Sequence, residues 1–150
     1  MHRYCLIILL LSITLTATVY AAKNDIVWRG SGGWGAGLPY QQRFDPSRVE
    51  KISGTILSIE RFSEELDMAD GIRLKMQNRR VVETVHVGPL WFLERQDLAL
   101  NAGDTVTVRG ARVTHDKAGY LIASSLTKGR NTLLLRNRDG FPLWTGWRRD

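Results

Sequence analysis

The chain has 150 residues, room for one domain, and is 43% apolar and 24% charged, which excludes a disordered or collagen-like polymer. Its single cysteine excludes an internal disulfide. Lys and Arg number 21 against 15 Asp and Glu, a net charge of +6 that suits an anionic partner.

Residues 1–22 read MHRYCLIILLLSITLTATVYAA. Arg3 supplies a positive start, Leu6 to Leu15 an apolar core, and Ala21 and Ala22 the small residues that signal peptidase needs. The apolar run falls short of the roughly 20 residues of a membrane span. A cleaved secretory signal is therefore expected, with a periplasmic or secreted product. Cys5 precedes the apolar core, whereas a lipoprotein cysteine would follow it. Cleavage removes the only cysteine, leaving no thiol to protect in an oxidising compartment. No later apolar stretch is long enough to span a membrane.

Residues 23–48 form a glycine- and aromatic-rich arm. Gly30, Gly32, Gly33, Gly35, Gly37 and Pro39 oppose a regular helix or long strand. Trp28, Trp34 and Tyr40 set it apart from a plain flexible linker. Such an arm packs onto something, its own barrel or a partner.

Val49 to Phe62 is the first expected strand, rich in β-branched residues. Gly54 inside it marks a bulge or tight coil. Ser63 to Gly71 is a polar loop. Gly71 to Gln77 alternates Ile72, Leu74 and Met76 with Arg73, Lys75 and Gln77, a half-buried strand. Asn78-Arg79-Arg80 turns it into a third strand, Val81 to Val87, ended by Gly88-Pro89. Leu90 to Leu98 is the one helical stretch. Thr105 to Thr114 and Tyr120 to Thr127 are two more strands. A short strand, Thr132 to Arg136, leads to a tail carrying Trp144 and Trp147.

This order predicts an all-β protein: a five-stranded OB-fold-like Greek-key barrel over residues 49–128, with one short helix between strands 3 and 4. Residues 129–150 would be an extension packed on the barrel. Another small barrel or a β-sandwich is the alternative. Expected core residues are Ile52, Ile56, Ile59, Ile72, Leu74, Met76, Val85, Val87, Leu93, Val106, Val108, Val113, Leu121 and Ile122.

The chemistry-bearing residues do not form a catalytic set. There is no G-x-S-x-G motif, and Gly30-Ser31-Gly32-Gly33 lacks the lysine and following helix of a phosphate loop. Glu64, Glu65 and Asp67 read as a solvated loop. After cleavage only His86 and His115 remain. His86 reads as a structural or surface group on a strand, and His115 as solvated beside Asp116. No enzyme and no cofactor is expected. The stronger signal is basic. Arg73, Lys75, Arg79 and Arg80 fall where an OB barrel binds ligands, on strands 2 and 3, and Arg109 and Arg112 flank Gly110. The tail adds Arg136, Arg138, Arg148 and Arg149 among Phe141, Trp144 and Trp147. Trp34 and Trp91 are candidate aromatic anchors, while tryptophans pinning both ends onto the barrel are the competing reading.

The motifs GGWGxGxPY, FDPxxV, SGxI, VHVGPxWFL, GDxVxVRG and LRNRDGFPLW resemble those of a family of small exported bacterial OB-like proteins, over residues 28–149. The domain is similar to that of magnetosome-associated S/X-type proteins. The resemblance implies a DNA-binding label carried by fold analogy and, in some members, coupling to haem-bearing segments. This chain has no Cys-x-x-Cys-His, so His86 is its one candidate for an axial contact to a partner's haem or metal. The expected function is a non-catalytic exported binding or adaptor module for a protein partner or anionic polymer. The alternatives are single-stranded nucleic-acid binding and an accessory role in periplasmic metal or haem redox handling.

Overall fold

The computed structural model describes residues 30–145. The expected signal segment, Cys5, Trp28, Trp147, Arg148 and Arg149 lie outside the described residues. Among the described residues no helix is long and apolar enough to cross a membrane.

The arm enters through α1 (Pro39–Gln42), a single turn with proline in its first position, where the missing N–H costs nothing. A 3₁₀ turn, Pro46–Arg48, follows, capped by Asp45, whose Oδ1 accepts from the Ser47 N–H at 2.9 Å. The strands are β1 (Val49–Phe62), β2 (Gly71–Asn78), β3 (Val81–Pro89), β4 (Thr105–His115), β5 (Ala118–Lys128) and β6 (Asn131–Leu134). Neighbours run in the order β3-β2-β1-β4-β5-β6. A parallel contact, Val85 with Leu121 and His86 with Ile122, joins β3 to β5 and closes five strands into a ring. The circuit is that of an OB-fold barrel, with β6 added beyond β5.

β1 serves two neighbours. Its first half pairs with β4 and its second with β2, with Thr55 shared. Gly54 sits at this changeover, where any Cβ would collide with the Gln77 carbonyl. Leu57 bulges just beyond it, between Ile56 and Ser58. The expected bend is thus present, for a steric reason. Two further register shifts fall between Ile72 and Arg73 on β2 and between Arg109 and Gly110 on β4, leaving Val87 and Ser124 as the extra residues opposite.

The barrel interior holds Ile52, Ile56, Leu74, Met76, Val85, Val106, Val108, Leu121 and Leu126, all buried. Ile59, expected in the core, is 38% exposed. Ile72 and Leu93 pack against the core only in part. The expected helix Leu90–Leu98 is cut to α2 (Leu90–Leu93). Arg95 and Gln96 bond three residues back, tightening the turn, and the Gln96 side chain takes the Phe92 carbonyl at 3.2 Å. The released segment then lays Leu98 and Leu100 against the core.

Candidate anion-binding face

A pair of residues directly opposite on neighbouring strands shares a face of the sheet, so the register sorts every candidate. Arg112 lies opposite Leu121, Glu83 opposite Met76, and Glu50 two residues before Ile52. All three therefore point inward at one end of the barrel. Arg112 Nε donates to Glu50 at 2.9 Å, and its Nη1 donates to Glu83 at 3.1 Å. The Glu83 bond holds the guanidinium above its ordinary range, against some loss from burial. Arg112, expected to contact a ligand, is instead the charged plug of the barrel's own end. The apparent alternation around Gly110 conceals this, because Val113 belongs to the outer layer while Arg112 belongs to the inner one.

The outer face of β2 and β3 is where an OB barrel offers itself to oligonucleotides. Here the chain covers the upper half itself. Trp34, 1% exposed, lies over Gly71, where a Cβ would stand 2.6 Å from the indole Cη2. Its Nε1 donates to the Ala69 carbonyl at 2.8 Å, and the Ala69 N–H donates to Gly32 at 2.7 Å. Trp34 meets Tyr40, Phe62 and Trp144 edge-on or tilted, with ring centres 5.0, 5.8 and 6.0 Å away. Trp144 Nε1 in turn donates to the Trp34 carbonyl at 2.7 Å. Trp34 is therefore an internal keystone of arm and tail, not a ligand anchor. Trp91 is half-buried, and its Nε1 is buried without a partner among the described residues.

His86 lies on the same outer face and is 2% exposed. Its ring is stacked with Tyr120, centre to centre 4.1 Å, with Phe62 tilted at the same distance. Its Nδ1 is 3.0 Å from the Tyr40 hydroxyl. Burial, with the charges of Arg73, Arg43 and Lys75 added, pushes the imidazole down to about 3, so it is neutral. Burial likewise raises both tyrosines above their ordinary range. Glu64, read from the sequence as solvated, is drawn in beside this cluster. It accepts from Arg43 at 3.1 Å and stands 3.9 Å from His86 Nε2. Arg43 also donates to Tyr120 at 3.1 Å and pairs with Glu65. Among the described residues, no three of His, Cys, Asp and Glu converge as metal ligands would. The arrangement presents a histidine held as a core group.

The lower half of that outer face is only partly free. Arg73 Nε donates to Glu60 at 2.9 Å, which holds the Glu60 carboxyl below its usual range. Lys75 Nζ donates to Thr84 at 2.8 Å. The expected cluster Arg73, Lys75, Arg79 and Arg80 is thus divided. Arg79 and Arg80 are exposed at the β2–β3 turn, and Arg79 adopts φ 54°.

The uncompensated charge lies on the adjoining face. Lys51 on β1 stands directly opposite Arg109 on β4, a like-charge cross-strand pair. Such pairs are unfavourable by a few tenths of a kcal/mol to about 1. Among the described residues, neither has a carboxylate within ion-pairing distance. Lys51 and Arg79 line a groove of about 540 Å³. Arg109 and Arg138 line a second, of about 340 Å³. A basic strip thus runs from the β2–β3 turn across β1 and β4 to the tail: Arg79, Lys51, Arg109, Arg138. Beside it lies a band of hydroxyls. Ser53 bonds Thr107 at 2.8 Å, and Thr127 bonds Thr132 at 2.8 Å.

Lys51 is not among the residues the sequence singles out, and Arg138 appears there only as one of the basic residues of the tail. The register that makes Lys51 the neighbour of Arg109 is a long-range pairing, and no local motif announces it. Arg136, in the same tail, is 5% exposed. It donates to the Gly140 carbonyl at 3.1 Å and to Gln41 Oε1 at 2.6 Å, and it stacks over Phe44 at 4.6 Å. Among the described residues no carboxylate is its partner, and burial pulls its guanidinium down to about 10.

Comparison with known proteins gives four findings. Among solved structures, the dimeric N-terminal domain of PriB from Thermoanaerobacter tencongensis is 13% identical, covering 57% of this chain and 99% of that one, with a TM-score of 0.45. The S. pombe Stn1–Ten1 complex is 18% identical, covering 65% and 79%, with a TM-score of 0.43. No curated protein matches the sequence. The family model of the MamS/MamX magnetosome proteins matches residues 48–133, from the end of the 3₁₀ turn to within β6, and the chain belongs to that family.

Proposed function

We propose that the protein is an exported, non-catalytic binding module that holds an anionic polymer along Arg79, Lys51, Arg109 and Arg138. One observation carries this reading: Lys51 and Arg109 are placed side by side on adjacent strands with no carboxylate between them among the described residues. A sheet that keeps two cations in register gains from an anion laid across them. The hydroxyl band beside the strip supplies neutral donors to the same ligand. Export rests on the signal-like residues 1–22.

Single-stranded nucleic-acid binding has less support. It calls for several exposed rings on which bases stack. Trp34, Tyr40 and Trp144 are instead buried, and of the rings named in the tail Phe141 is exposed. The metal or haem accessory role would need His86 to leave the contacts that bury it.

The test compares fluorescein-labelled polyphosphate, polyglutamate and a single-stranded oligonucleotide of matched charge, with the purified protein at several salt concentrations. The expected result is comparable affinity for all three, falling steeply with salt. Lys51→Gln with Arg109→Gln should weaken each about 10-fold, and Arg73→Gln with Lys75→Gln should change little. Salt-independent binding, or dependence on Arg73 and Lys75, would overturn the reading. A marked preference for the oligonucleotide would favour the nucleic-acid alternative.

A further inference from the structure

The groove at the tail end of the basic strip has a character of its own. Arg109 and Arg138 line it together with Ser125, and among the described residues no carboxylate does. Its lining includes Arg136, a cation that the fold has taken out of water. Arg136 spends Nη1 and Nη2 on two neutral oxygens, and its Nε is left without a partner among the described residues. A buried guanidinium with only neutral acceptors is a costly thing to keep. An aliphatic side chain would fill the space between Phe44 and Trp144 without that cost.

The surrounding backbone holds this cation in place from both directions. The Arg136 N–H donates to Ser124, the bulged residue of β5, at 3.0 Å. Ser124 Oγ donates to the Arg109 carbonyl at 3.1 Å. One bulge therefore ties the backbones of two of the three arginines together. The tail loop is fixed in turn by Asn137, whose Oδ1 accepts from Asp139 and Phe141 N–H groups at 3.0 and 2.9 Å. That turn carries Arg138 on a set backbone.

We propose that this groove is an oxyanion pocket, in which Arg109 and Arg138 grip a phosphate- or sulfate-type group whose charge compensates the buried Arg136 of the same lining. Guanidinium groups suit this because their paired N–H donors match two oxygens of a tetrahedral anion at once. The volume, about 340 Å³, exceeds what one such anion fills and leaves room for the chain it terminates. The pocket rests on the reading above for the anionic nature of the ligand and adds its terminal chemistry. Free phosphate and the end group of a polymer share that chemistry.

The experiment follows the arginine Nε–H resonances of ¹⁵N-labelled protein while inorganic phosphate, and separately a short polyphosphate, is added at constant ionic strength against chloride. Saturable shifts of Arg136 and Arg138 with phosphate, beyond those in chloride, are expected. Polyphosphate binding at least 10-fold tighter than phosphate would identify a polymer end as the source, and equal affinity the free ion. Arg138→Gln, an exposed change that spares the fold, should weaken phosphate at least 10-fold, whereas Arg73→Gln, whose guanidinium is held by Glu60 outside the strip, should not. Shifts no larger than in chloride, or an Arg138→Gln protein that binds phosphate like the parent, would overturn the pocket. If polyanions still bind along the strip in that event, the module reading stands and the pocket alone fails. Phosphate lodged here with no polyanion bound elsewhere would leave the pocket and remove the module.

Discussion

Trp144 donates its indole N–H to the backbone carbonyl of Trp34, 110 residues earlier in the chain, at 2.7 Å. Both rings are 1% exposed. This bond joins the arm before the barrel to the tail after it, over a sheet face that would otherwise be open. Replacing Trp144 by Phe keeps most of the ring and strands the buried Trp34 carbonyl. The expected loss is about 1–3 kcal/mol, and Trp144→Ala should lose about 3–5. Urea unfolding followed by tryptophan fluorescence and far-UV circular dichroism reads both values. A Phe variant as stable as the parent would mean that the bond contributes nothing.

Gly71 is small because Trp34 lies on it. Gly71→Ala drives a methyl group into the indole and toward Phe62 Cε1, 2.9 Å from the new carbon. Destabilisation of about 1–3 kcal/mol is expected from overpacking, with the arm rather than the barrel giving way. Limited proteolysis should then cut near residues 30–44 while leaving residues 49–128 whole. Unchanged protection of the arm would contradict the packing described.

The Arg112 plug predicts coupling among three charges. Arg112→Gln leaves Glu83, whose side chain is only 13% exposed, without its guanidinium. The cost should be about 1–3 kcal/mol, reduced where Glu50 remains open to solvent. In a double-mutant cycle, Arg112→Gln and Glu83→Gln should be non-additive, whereas Arg112→Gln and Arg79→Gln should simply add. An additive Arg112–Glu83 pair would show that the contact is energetically idle.

His86 gives a pH dependence with a definite sign. Its folded-state pKa, about 3, lies below the ordinary histidine value of 6.5, chiefly through burial. Between those values the unfolded chain binds a proton that the folded chain does not. Stability therefore falls as pH drops from about 6.5 toward 3, and this group contributes no slope above that window. The slope from one proton approaches about 1.4 kcal/mol per pH unit. A His86→Phe protein should show a shallower acid limb than the parent in urea unfolding between pH 4 and 7. Parallel limbs would show that His86 does not govern this range.

The strands were legible because each signal was local. β-branched runs, alternation in residues 71–77 and the Gly88-Pro89 stop place the boundaries of β1, β2 and β3 to within a residue or two of those observed. The site was less legible, for two physical reasons. Alternation separates two faces but does not say what covers the polar one. Arg73 and His86 are cross-strand partners on one face, yet the first meets solvent in part and the second lies under Tyr40. The other reason is that alternation does not say which of the two faces turns inward. Arg109 and Arg112, three residues apart on β4, lie on opposite faces, and only the long-range pairing shows Arg112 inside opposite Leu121 and Arg109 outside opposite Lys51. Nor does local pattern distinguish a paired from an unpaired arginine, because Glu50 and Lys51 meet β4 only through the long-range β1–β4 pairing, and Glu83 comes near it only through the closed ring.

The arm lying across the β2–β3 face has one more consequence, in the language of competition. A ring tethered to the barrel by a short connection faces its site at a millimolar or higher effective concentration. Any base or aromatic arriving there from solution must outbid an occupant that never diffuses away. The rival is thus part of the same polypeptide, and the β2–β3 face is held against newcomers by the chain's own arm.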